Sequence, residues 1–72
     1  MKELAIFDRW AAAFALATGV PLLKVLDDGW QNYVFDDSDG QASRALGEWK
    51  DGQALVPARK LARAWRDLKQ AR

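Results

Sequence analysis

The dipeptide Asp28-Gly29 separates two runs rich in β-branched, leucine and aromatic residues, Leu-Leu-Lys-Val-Leu-Asp over 22–27 and Trp-Gln-Asn-Tyr-Val-Phe over 30–35. Asp-Gly tolerates the positive φ angles of a tight two-residue turn, so this stretch predicts a β-hairpin. A loop of two residues would put Leu22, Lys24 and Leu26 on one face with Gln31, Tyr33 and Phe35. Leu23 and Val25 would then share the other face with Trp30, Asn32 and Val34. Both faces are partly apolar, so alternation alone does not choose the buried one. A two-stranded sheet is only marginally stable by itself, and residues 53–56, Gln-Ala-Leu-Val, are a candidate third strand.

The remainder reads as helix. Residues 2–18 predict a first helix, with Leu4, Phe7, Ala11, Phe14 and Thr18 at the spacing of a buried stripe. Gly19 stands where a left-handed C-terminal residue belongs, with Pro21 just beyond. Beyond Arg9 this helix carries no charge, and Ile6, Trp10, Ala13 and Ala17 widen its apolar side. A chain this short is not expected to cover both sides of such a helix, so these four residues are the candidate homodimer patch. Ser38 with Gln41 three residues on has the form of a capping box, predicting a second helix that ends at Gly52, although Gly47 weakens its interior. Pro57 suits the first turn of a third helix, whose inner stripe is Ala58, Leu61, Ala64, Trp65 and Leu68. The expected fold class is therefore α+β: an N-terminal helix, a β-hairpin with a candidate third strand, and two C-terminal helices packed on the sheet. No linker or repeat interrupts residues 1–72, which read as a single domain.

At 72 residues the stability margin is thin. There is no cysteine and no histidine, which removes disulfides, thiolate chemistry, the commonest zinc ligands and the usual neutral-pH base. The uncharged run over 11–20 is too short to cross a bilayer, and a soluble, cytoplasmic protein is expected. The net charge of +1 hides a segregation. Asp27, Asp28, Asp36, Asp37 and Asp39 occupy 27–39 with no base among them. Arg59, Lys60, Arg63, Arg66, Lys69 and Arg72 crowd 57–72 against Asp67 alone. Such layouts bear on partners rather than on fold.

Three candidate surfaces follow. The five aspartates, with Trp30 or Tyr33 as an aromatic anchor, form an acidic rim suited to a basic groove on a protein partner. Arg59, Lys60, Arg63, Arg66 and Lys69 on the third helix are an alternative surface for nucleic acid. Ile6, Trp10, Ala13 and Ala17 are the dimer patch. No catalytic residue, metal ligand or cofactor is expected. Ser38 and Ser43 have no base nearby, the glycines are scattered, and a calcium loop centred on Gly40 would have Phe35 and Leu46 at its first and twelfth positions.

Gly-Val-Pro-Leu-Leu, Tyr-Val-Phe-Asp-Asp and a closing basic helix ending at Leu68-Lys69 together resemble small domains of unknown function carried by bacteriophages and integrated elements. The matching positions are Leu22, Leu23, Val25, Tyr33, Phe35, Asp37, Leu68 and Lys69, with Tyr33 where that pattern more often has phenylalanine. The resemblance carries no assigned activity. It implies a protein of the bacterial host's cytoplasm that binds a host macromolecule, as anti-CRISPR inhibitors do. The expected function is thus a non-enzymatic inhibitor that occludes a host protein or nucleoprotein complex, with a DNA- or RNA-binding accessory as the alternative.

Overall fold

The computed structural model describes residues 2–27, 29 and 31–70. Asp28 and Trp30, both assigned above to the acidic rim, lie outside the described residues. The order of elements is β1 (Glu3–Ile6), α1 (Arg9–Ala17), β2 (Leu22–Asp27), β3 (Gln31–Asp36), α2 (Gln41–Lys50) and α3 (Ala58–Gln70). The class is α+β, with an antiparallel three-stranded sheet of order β1-β3-β2.

The third strand is β1, not residues 53–56, which form no strand. Glu-Leu-Ala-Ile alternates Leu4 and Ile6 toward the core, and β3 lies in the middle, where it needs a partner on each side. Asp8 separates strand from helix: its carboxylate accepts from the Trp10 backbone N–H at 2.9 Å, the geometry of a helix N-cap. The first helix therefore starts at Arg9 rather than at residue 2. Its other end matches the expectation, since Gly19 has φ 98° and Val20 N–H donates back to the Ala15 carbonyl.

The hairpin register differs by one from a two-residue loop. Asp27 pairs with Gln31, Leu26 with Asn32 and Val25 with Tyr33, so three residues connect the strands. An irregularity between Leu22 and Lys24 then brings Leu22 opposite Phe35. This bulge lets Leu22 and Val25, three residues apart, both face the core while Leu23 and Lys24 turn outward. Leu4, Ile6, Leu22, Val25, Tyr33 and Phe35 make up the sheet's inner face. Across its outer face Lys24 pairs with Glu3 at 3.7 Å.

The sheet, α2 and α3 all pack against α1. Ala11, Ala12, Ala13 and Ala15 are buried with Phe14 between them, and their small side chains let the surrounding elements approach closely. The chain does cover this helix on both sides. Phe14 meets Trp49 of α2 at a ring separation of 6.0 Å. From α3, Ala64 and Leu68 are buried and Leu61 half-buried in the same core. Ala54 and Val56 close its edge, leaving Leu55 outside.

Candidate binding surface

Each charged group singled out in the sequence has a distinct fate. Asp27 stands at the turn end of the sheet, while Asp36, Asp37 and Asp39 stand at the other end of β3. Five residues of strand, about 17 Å at ~3.4 Å per residue, separate the two groups, so the described aspartates do not form one rim. Those at the far end are engaged in building the entry to α2. The Asp37 carboxylate, only 3% exposed, accepts from the Ser43 backbone N–H at 2.9 Å and from the Ser43 hydroxyl. The Ser43 hydroxyl, followed by its backbone N–H, holds the Asp37 carboxyl below the ordinary 3.8. Asp36 accepts from the hydroxyl and backbone N–H of Ser38, and these two bonds hold it low in the same way. Asp39 accepts from Gln41 N–H at 3.1 Å. Ser38 is thus a donor in a turn and not the N-cap. That position belongs to Gly40 in a left-handed conformation (φ 79°), with the capping acceptors supplied by aspartates from upstream.

The homodimer patch does not exist as a surface. Ile6 is on β1 and Ala13 is inside α1, both buried, and Ala17 is half-buried. Trp10 alone of the four stands out, at 47% exposure. Tyr33 is also unavailable as an anchor, being 1% exposed.

The bases of α3 are the opposite case. Arg59, Lys60, Arg63, Arg66 and Lys69 are all exposed. Arg59, Arg63 and Arg66 line one shallow groove with Ala62, Asp67 and Gln70. Among the described residues the only ion pair within 4.0 Å is Lys24–Glu3. Asp67 sits within the groove yet pairs with none of the arginines, so their charge is directed to solvent.

Going round α3 from buried Ala64 and Leu68, the surface passes Trp65, then Lys69, then Arg66 and Arg59, and reaches Arg63. The basic face therefore has an aromatic margin, which the inner-stripe assignment of Trp65 conceals. Trp65 is half-buried and stacks on Trp10 of α1 with ring centroids 5.4 Å apart. The Arg9 guanidinium lies 5.2 Å and the Lys69 ammonium 5.6 Å from the centre of the Trp65 ring, within the range of cation–π attraction. Arg9 is fixed further by donating to the Tyr33 hydroxyl at 3.0 Å and to Gln31 Oε1 at 3.1 Å, while the Tyr33 hydroxyl donates to the same oxygen at 2.8 Å. Phe7, Arg9, Trp10, Gly29, Gln31, Tyr33 and Trp65 enclose a notch beside the basic face.

Phe7 was expected in the buried stripe but is 73% exposed. It immediately precedes the Asp8 cap, a position from which an apolar side chain often packs on the fourth helical residue. That residue is Ala12, too small to reach out and buried in the core. The sequence signals for the notch were the Asp8 cap, which ends the supposed stripe, and the Trp65/Lys69 spacing of four, which sets the ammonium beside the ring.

No protein-family model, no curated protein and no solved structure matches this chain. Among the described residues no helix is long and apolar enough to cross a membrane.

Proposed function

We propose that the protein is a non-enzymatic binding module that holds nucleic acid along the outer face of α3. The observation that carries this reading is the row Arg59, Arg63 and Arg66, exposed in one groove with no ion pair to a carboxylate within 4.0 Å among the described residues. Spacings of four and three keep the row on one side of the helix, where it can follow a run of phosphates. Lys69 extends the row toward the notch. Binding of a short labelled oligonucleotide, followed by fluorescence anisotropy, tests it. The triple substitution Arg59→Gln, Arg63→Gln, Arg66→Gln should weaken binding strongly, and unchanged affinity would refute the assignment.

A second reading is the phage-type inhibitor that occludes a host nucleoprotein complex in the bacterial cytoplasm. It is favoured by two exposed apolar side chains, Phe7 and Leu55, the latter at 90% exposure. Its contact would be made by these side chains and not by a continuous acidic rim. Affinity capture from bacterial lysate with and without nuclease separates the readings. Proteins retained after nuclease favour occlusion; retention that disappears with nuclease favours the α3 surface.

A further inference from the structure

We infer that the notch beside α3 takes an unpaired nucleobase, so that the partner is a single strand rather than a duplex; this rests on the nucleic-acid reading of α3. Two aromatic side chains at the notch, Phe7 and Trp10, present large exposed surfaces. Trp10 is backed by the Trp65 ring, and the backbone of Phe7 is set between the last residue of β1 and the Asp8 cap. Every base has a π-face, so such a platform accepts any sequence, provided that the base is free of its own stack and partner. In a duplex the bases are paired and stacked, so only their edges face the grooves and no base offers its π-face to the notch.

The charges favour this division. Arg9 and Lys69 crowd Trp65 at the side of the notch nearest the basic face, where the backbone of a strand following the arginine row would arrive. No carboxylate lines the notch among the described residues, and its remaining lining, Phe7, Trp10, Gly29, Gln31 and Tyr33, is uncharged. An uncharged aromatic lining of this kind suits a neutral base, and the cations at its margin suit the phosphate that precedes it. The backbone would run along α3 and a base would turn into the notch. The hydrogen bonds from Arg9 to Tyr33 and Gln31 hold the floor in place before anything binds, which lowers the ordering cost of association.

The test compares an unstructured labelled single strand with the duplex it forms with its complement, titrated against the intact chain at one low salt concentration. The single strand should bind about tenfold or more tightly, the effect of stacking one base. Phe7→Ala removes no buried contact, and it should bring the ratio of the two affinities toward one. Trp10→Ala should do the same more strongly, and circular dichroism reports whether that variant folds; Phe7→Ala decides the matter if it does not. Equal affinity for strand and duplex, or an unchanged ratio in Phe7→Ala, overturns the base-stacking inference and leaves the α3 reading standing. Failure of both nucleic acids to bind overturns that reading and this inference with it.

Discussion

Helices α1 and α3 lie against each other, yet they divide the protein's tasks. From Ala11 to Ala15 every residue of α1 is buried, and after Arg9 the helix has no charged group. Along α3 only Ala64 and Leu68 are buried, while its bases are exposed and, among the described residues, pair with no carboxylate. A buried apolar helix gains stability from area removed from water and has no means of recognising anything. A one-sided helix secures its position with a narrow stripe and leaves the rest of its circumference free. On the proposed reading, the buried stretch of α1 from Ala11 onward serves stability, while α3 and the Arg9–Trp10 end of α1 serve recognition, and substitutions in each should separate the two properties.

The largest effect should come from Phe14→Ala. Removing this buried ring, which meets Trp49 of α2, should cost about 3–5 kcal/mol, much of the stability expected of so small a domain, and urea unfolding measures it. The Arg59, Arg63, Arg66 to Gln variant should lose oligonucleotide affinity by roughly 100-fold at low salt. Its urea midpoint should stay within the ~0.5 kcal/mol typical of surface changes; a large shift would mean that the arginines serve the fold. Ala13→Leu tests the close approach on α1 and should cost about 1–3 kcal/mol through overpacking. A neutral result would show that the helix has room on that side.

The smallest effect concerns the aspartates. Asp37→Asn keeps an acceptor for Ser43 but removes the charge. Because hydrogen bonding lowers the Asp37 pKa in the folded protein, its contribution is fully present above the ordinary value of 3.8 and is lost as pH falls through the lowered one. The wild type should thus melt above the variant at neutral pH, and the difference should shrink on acidification below pH 3.8. A gap independent of pH would contradict the role given to the Asp37 charge.

The sequence revealed elements more readily than their partners. The hairpin, the Gly19 and Gly52 helix ends and the helix beginning after Pro57 all carry local turn chemistry, and all stand close to where expected. β1 was hidden because Leu4 and Ile6 fit a helix almost as well as a strand, and four residues are too few to settle a period. The bulge that places Leu22 beside Val25 has no local marker. It follows from the need to seat both side chains in one core. Charge was the least legible property. Five aspartates and six bases look equivalent in a count, but turn and capping bonds engage Asp36, Asp37 and Asp39, while among the described residues no carboxylate pairs with the α3 arginines. The notch had only partial signals, the Asp8 cap and the Trp65/Lys69 spacing, because it joins residues from β1's end, α1, β3 and α3, which only the fold brings together.

The most direct test of the division between α1 and α3 is the salt dependence of oligonucleotide binding, measured for the wild type and the triple arginine variant. Each phosphate neutralised on a single strand contributes about −0.7 to the slope of log affinity against log salt. Loss of three arginine contacts should therefore flatten that slope by about 2. Identical slopes for the two proteins would contradict the account, because the charges responsible would then lie elsewhere than on the outer face of α3.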